Sequence, residues 1–152
     1  MPTYLQQRLQ QVKNSPVAKT LVSLQCGIEK EGLRVGVSGR VSHKDHPKSL
    51  GSSLTHGSIT TDYSEALLEY ITPVFQSPVA ALDFMQELHS FSASQLHDIG
   101  EYVWPASMPC YLDGEEDIRI ANFGSSNTGK LKHTYRVGLA WRYGKIMQSI
   151  AG

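Results

Sequence analysis

The stretch GIEKEGLRV, residues 27–35, constrains the fold most, because it places two glutamates one residue apart between two glycines. On a helix, residues i and i+2 lie on nearly opposite faces, and the two glycines would weaken the helix further. On a strand the same two side chains lie on one face, about 7 Å apart along the chain. The spacing therefore predicts a β-strand that directs Glu29 and Glu31 to the same side of a sheet.

Two neighbouring carboxylates repel each other and raise each other's pKa unless a cation lies between or beside them. In a site with two divalent ions about 4 Å apart, Glu29 and Glu31 could each be a ligand of a different ion. The alternative is a solvated strand face, on which two glutamates cost little. This stretch alone leaves both interpretations open.

A second acidic stretch, ITTDYSEALLEYITPV, has two possible structures. As a strand, it places Glu69 on the same face as apolar neighbours, where a buried carboxylate needs a positive partner or a proton. As a helix, it would begin at Asp62 as N-cap, with Glu65 completing a capping-box-like pair. Glu65 and Glu69 would then form an exposed i,i+4 pair. Local propensity favours the helix, and the sequence pattern does not decide between the two.

Composition describes a globular protein of one domain. The chain has 152 residues, 40% of them hydrophobic and 18% charged, and its 14 basic residues balance its 14 acidic ones. This balance gives no sign of nucleic acid as a partner. The first residues lack the pattern of a secretory signal, and no apolar run is long enough for a membrane span, so the predicted location is cytoplasmic. Cys26 and Cys110 match no metal or redox spacing and are predicted to be reduced thiols.

Three segments, residues 2–15, 77–96 and 131–152, have the periodicity of helices. The second begins with Ser77 as a favourable N-cap and Pro78 at the first helical position. Helices mixed with extended segments predict an α+β fold. Each helix has an apolar stripe that is predicted to face the core. The stripes are Leu5, Leu9 and Val12 in the first helix, Leu82, Met85, Leu88 and Phe91 in the second, and Leu131, Tyr135, Leu139, Tyr143 and Met147 in the third. The Lys and Arg residues of the third helix are predicted to form a solvated face.

Taken together, three motifs resemble the proteobacterial type of bacterial glutamate–cysteine ligase, also called γ-glutamylcysteine synthetase. The first is GIEKEGLRV, and the second is HPKSLGSSLTHGSITTDYSEALLEYITPV. The third is WPASMPCYL followed by SSNTGKLKHTYRVGLAWRYGKIMQSIAG. The resemblance runs from about Gly27 to the last residue.

The resemblance implies an ATP-dependent enzyme that joins the γ-carboxyl of L-glutamate to the amino group of L-cysteine through γ-glutamyl phosphate, the first step of glutathione biosynthesis. It implies part of a curved antiparallel sheet like that of glutamine synthetase, with flanking helices and with metals and substrates on the concave face. Hard Mg²⁺ or Mn²⁺ prefers oxygen ligands, in keeping with acidic positions. By resemblance, the metal-binding positions are Glu29, Glu31, Asp62 and Glu69, and those near the amino-acid substrates are Tyr135 and Gln148.

Members of this family are much longer than 152 residues. We therefore expect residues 1–152 to form the N-terminal portion of a catalytic domain, with the remainder of a longer enzyme chain as partner. One alternative is a truncated, non-catalytic relative that binds a metal ion or an amino acid. Another is an interaction module that uses the basic last helix on nucleic acid or an acidic partner, although the zero net charge weighs against it.

Overall fold

The computed structural model describes residues 2–21 and 23–143, and within them the chain forms a four-stranded antiparallel sheet with flanking helices. The strand order is β2-β3-β1-β4, and every neighbouring pair is antiparallel. The strands are β1 (Glu29–Gly36), β2 (Ile59–Thr61), β3 (Leu67–Ile71) and β4 (Glu101–Val103), and the α-helices are α1 (Tyr4–Lys13), α2 (Val17–Leu21), α3 (Pro78–His97) and α4 (Asn127–Tyr143). The predicted α+β class is confirmed.

Helix α3 covers one face of the sheet and forms the main core with it. The Ser77 hydroxyl accepts a hydrogen bond from the Ala80 N–H, and Pro78 opens the helix, as the sequence predicts. The buried residues of this core come from the sheet, from α3 and from the short 3₁₀ turn Lys48–Leu50; they are Leu50, Ile59, Leu68, Tyr70, Met85 and Leu96.

The apolar stripe predicted for α3 is partly wrong. Met85 is buried and Leu88 packs against the core, but Leu82 and Phe91 are exposed. The helix also buries Ala81 and Leu96. Steps of three residues, as from 82 to 91, drift around a helix of 3.6 residues per turn. The buried line advances mainly in steps of four, which keeps it against the sheet.

Helix α1 forms where it is predicted, but its apolar stripe is not buried. Thr3 and Gln6 form a reciprocal capping box at its start. Leu5, Leu9 and Val12 all remain exposed. Capping and local propensity, rather than packing, define this helix.

A second, smaller core lies on the sheet face opposite α3, beyond the acidic end of β1. It buries Val35, Val41, Ala66 and Cys110, and partly buried Trp104 packs against it. Both cysteines are free thiols, as predicted. In the part of the chain that the structure describes, no helix has the length and hydropathy to cross a bilayer.

Candidate active site

Three glutamates share the sheet face that α3 leaves uncovered. Glu31 of β1 pairs directly with Glu69 of β3, and Glu29 pairs with Ile71. Because side chains alternate along a strand and paired residues share a face, Glu29, Glu31 and Glu69 lie on one side of the sheet. The β-carbons of a directly opposed pair are about 4.5–5.5 Å apart. The strand predicted from the spacing of Glu29 and Glu31 is confirmed.

The helical alternative for the second acidic stretch is wrong. Residues 67–71 form β3, which is paired on one side with β1 and on the other with β2. Glu65 is not on an exposed helix face: it lies in the loop between β2 and β3 with only 2% of its surface exposed. The two neighbouring strands form hydrogen bonds with the backbone N–H and C=O groups of this segment, and this pairing overrides its local helix propensity.

Asp62 adjoins the three glutamates from the end of β2. Its N–H donates to the Leu67 carbonyl oxygen at 2.9 Å, which closes the loop between β2 and β3. Its carboxylate Oδ1 lies 3.3 Å from Nη2 of Arg136, a mostly buried arginine of α4. Asp62 therefore joins the acidic face to helix α4.

The electrostatics of Glu69 show that these carboxylates act on one another. The pKa of Glu69 is raised, first by partial burial and then by the negative charges of Asp62, Glu29 and Glu31. The positive charge of Arg136 lowers it and so opposes this shift. Burial and three negative neighbours together thus outweigh the effect of Arg136 on the pKa of Glu69.

The donor set fits a hard divalent cation in its chemistry. It consists of carboxylate oxygens, which Mg²⁺ and Mn²⁺ prefer, and their mutual repulsion would be relieved by a cation. Across residues 2–21 and 23–143, no three His, Cys, Asp or Glu side chains already converge closely enough to hold an ion. We call the set Glu29, Glu31, Asp62 and Glu69 the acidic face.

A cleft of about 530 Å³ opens beside the acidic face. Glu31 and Asp62 line the polar part of the cleft, and residues 104–109 line another part of it. The Trp104 indole N–H donates to the Met108 carbonyl oxygen at 2.8 Å, which closes this segment into a compact loop. The cleft thus borders both carboxylates and an apolar surface.

Two basic residues of helix α4 pack against the rest of the molecule, whereas the first two residues of its predicted apolar stripe do not. Lys132 and Arg136 both lie over the ring of buried Phe123, at 4.0 and 5.2 Å from its centroid. Leu131 and Tyr135 are 71% and 65% exposed. The prediction that the apolar stripe is core and the basic residues are solvated is therefore wrong for this part of α4.

The two predicted substrate residues have different outcomes. Tyr135 lines a cleft of about 270 Å³, together with Asp62, Tyr63 and Arg136. This cleft brings the tyrosine close to one member of the acidic face. Gln148 lies outside the described residues.

Sequence reasoning missed two side chains that matter for this site. Arg136 contacts Asp62 across 74 positions of sequence, and its neighbour Tyr135 was the residue that the resemblance identified. The sequence assigns buried Glu65 a role only in the helical alternative, as a capping-box partner of Asp62 and as one of an exposed pair with Glu69. No local pattern distinguishes either residue, because the partners of both lie far away in the chain.

These features define an α+β domain with a carboxylate-bearing open sheet face beside a cleft. The profile of the Glutamate-cysteine ligase family matches residues 9–152, and the chain belongs to that family. Two relatives named glutamate–cysteine ligase are similar to it: one from Hahella chejuensis is 58% identical over 88% of this chain, and one from Alcanivorax borkumensis is 46% identical over 98%. The chain spans 25% and 28% of the length of these two relatives.

Solved structures show the same likeness. The glutamate–cysteine ligase of Francisella tularensis, in complex with AMP, is 44% identical, with a TM-score of 0.74 over 82% of this chain and 24% of its own. A bifunctional glutathione synthetase from Pasteurella multocida is 28% identical, with a TM-score of 0.74 over 90% of this chain and 17% of its own.

Proposed function

We propose that the protein catalyses ATP-dependent ligation of the γ-carboxyl of L-glutamate to the amino group of L-cysteine, the first step of glutathione biosynthesis, in the cytoplasm. Membership of the glutamate–cysteine ligase family supports this proposal. The observation that carries it is the cross-strand pair Glu31 and Glu69, with Glu29 and Asp62 beside it. Glu29 and Glu31 are exposed and Glu69 is half-buried, so solvent screens part of their mutual repulsion, and a cation bound between them would relieve the part that remains at Glu69.

The acidic face would hold Mg²⁺ or Mn²⁺ through its carboxylate oxygens. When bound, the ion would offset the negative charges that gather when a carboxylate approaches a triphosphate. The raised pKa of Glu69 supports this role in part: burial is its first cause, and the negative charges of Asp62, Glu29 and Glu31, which a cation would offset, are the next. The AMP in the complex of the Francisella relative supports a nucleotide as co-substrate.

The reaction needs two displacements. An oxygen of the glutamate γ-carboxylate attacks the γ-phosphorus of ATP, which forms γ-glutamyl phosphate and releases ADP. The cysteine amine then attacks the acyl carbon, an amide bond forms, and inorganic phosphate leaves with the electrons of the broken C–O bond while the amine loses a proton. Activation is necessary because a free carboxylate is a poor electrophile.

The amino-acid substrates would lie next to the acidic face. Tyr135 and Asp62 line the same cleft, so a group bound against the tyrosine would be close to the carboxylate. We propose Tyr135 as a contact for the amine substrate. Gln148 is proposed as a second contact by its resemblance to the family alone.

An ADP-release assay tests this function. It compares the 152-residue chain with the full-length protein that its gene encodes, each with ATP, Mg²⁺, glutamate and cysteine. We expect release by the full-length protein that requires both amino acids and is lost in Glu31→Gln. A full-length protein that binds Mn²⁺ but releases no ADP would contradict the ligase and favour a metal- or amino-acid-binding module.

A further inference from the structure

A buried carboxylate fixes the loop that carries part of the acidic face. Glu65 lies between Asp62 and Glu69 in sequence, and its side chain is buried in the protein interior. We propose that Glu65 is a positioning residue, which holds Asp62 and Glu69 in the arrangement that binds the cation. The inference rests on the proposed metal site and adds a residue that would not itself touch the ion.

The two carboxylate oxygens of Glu65 join two distant segments of the chain. Oε1 accepts a hydrogen bond from the backbone N–H of His46 at 2.7 Å, and Oε2 accepts one from the backbone N–H of Asn122 at 2.5 Å. Hydrogen bonds from N–H groups to a carboxylate are about twice as strong as bonds between neutral groups. Glu65 thus ties the loop between β2 and β3 to the segments on both sides of it.

The backbone of the same loop is held just as firmly. The Glu65 N–H donates to the Arg119 carbonyl oxygen at 2.7 Å, and the Glu65 carbonyl oxygen accepts from Nη2 of Arg34 at 2.9 Å. The next residue, Ala66, accepts from the Arg34 N–H at 2.7 Å. Both the side chain and the backbone at position 65 are therefore fixed.

Arg34 connects the backbone at Glu65 to a buried ion pair. Its guanidinium is fully buried and lies 2.7 Å from the carboxylate of Glu101, which is buried as well. The Ser42 hydroxyl also donates to Glu101. A buried carboxylate is costly to leave unpaired, so removing one member of such a network disturbs the others.

The geometry links this network to the acidic face. Asp62 and Leu67 close the loop by a hydrogen bond, and β3 continues from there to Glu69. Asp62 lies at the start of this loop and Glu69 within β3, so releasing the anchors at position 65 would let the loop, and Asp62 with it, shift relative to Glu69. Residues that orient metal ligands without touching the metal typically change metal affinity by about 10–100-fold when they are replaced.

The test measures Mn²⁺ affinity of the full-length protein by isothermal titration, in wild type and in Glu65→Gln. The amide cannot accept at both positions, so one of the two N–H groups loses its partner. We expect Mn²⁺ binding about 10–100-fold weaker than in wild type. Leu96→Ala serves as the control for a general loss of stability, because Leu96 is fully buried in the core on the opposite face of the sheet.

A merely structural role would lower the melting temperature in both variants and leave Mn²⁺ affinity in both close to that of wild type. That result, or an equal loss of affinity in Leu96→Ala, would overturn the inference while leaving the metal site intact. A wild-type protein that binds no Mn²⁺ would overturn the metal site and this inference together. Glu65→Asp is a second variant, which keeps the negative charge but has a side chain shorter by one methylene group. If Glu65→Gln does not fold, an Mn²⁺ affinity of Glu65→Asp equal to that of wild type would overturn the inference.

Discussion

The guanidinium of Arg136 lies 3.3 Å from the carboxylate of Asp62, so a cation of the chain's own already sits at the edge of the acidic face. This contact joins α4 to the loop between β2 and β3. Its partners have different environments, since the Arg136 side chain is mostly buried and that of Asp62 is half-buried. A divalent ion that uses Asp62 would have to compete with this arginine.

Replacing Arg136 with Gln should therefore tighten Mn²⁺ binding. Ion pairs at partly exposed positions are worth about 0.2–1 kcal/mol, so the dissociation constant should fall by up to about 5-fold. Titration of Mn²⁺ into the two proteins measures this. Arg8→Gln removes the same charge from exposed helix α1 and should leave the affinity unchanged; weaker binding in Arg136→Gln would mean that the arginine does not compete.

Mg²⁺ or Mn²⁺ should raise the melting temperature of the protein, because a ligand that binds only the native state stabilises it. The shift should shrink in acid, since protonated carboxylates no longer bind the ion. Thermal unfolding with and without millimolar Mn²⁺ measures it, and Glu31→Gln should show a much smaller shift than wild type. An equal shift in that variant would remove Glu31 from the proposed ligands.

Glu69→Gln should lower the turnover of the full-length enzyme by about 10²–10³-fold, the usual cost of losing a comparable electrostatic stabiliser. Its stability without metal should be unchanged or higher. The pKa of Glu69 is raised in the folded state, so its charge opposes folding above that pKa. The advantage of the variant should therefore be largest near neutral pH and should disappear as pH falls below the ordinary value of 4.5.

Steady-state kinetics and denaturant unfolding at several pH values test the two parts of that prediction. Asp83→Asn, which changes a carboxylate on the exposed side of α3, is a suitable control for the change of charge. Near-normal turnover in Glu69→Gln would mean that Glu69 is not a metal ligand.

His46 should make the protein lose stability between about pH 6.5 and 4. Burial, with Arg34 nearby, lowers the pKa of His46 from 6.5 to about 4. Between these values the unfolded chain binds a proton that the native state excludes, so the free energy of unfolding falls as pH falls. His46→Gln should lose this part of the pH dependence, whereas replacement of exposed His97 should keep it; denaturant unfolding across this range decides the matter.

The parts of this fold that follow from local patterns could be predicted from the sequence. The i,i+2 spacing of Glu29 and Glu31 indicates a strand because only a strand puts both side chains on one face. Ser77 and Pro78 mark the start of α3 because capping needs only residues within one turn. The resemblance to the family also predicts Tyr135 as a substrate contact; the residue lies in a cleft beside Asp62, and its role stays a prediction.

Only the tertiary structure decided the rest. The segment with Glu69 has local helix propensity, yet it is a strand because β1 and β2 pair with it on both sides. Glu65 is buried because its partners His46 and Asn122 come from opposite directions along the chain. Arg136 faces inward because its guanidinium lies over the ring of Phe123 and pairs with the carboxylate of Asp62. A sequence pattern indicates which side chains of a segment would share a face. Which of those faces is buried depends on residues far away in the chain, because they supply the hydrogen bonds and the opposite charges that buried polar groups need.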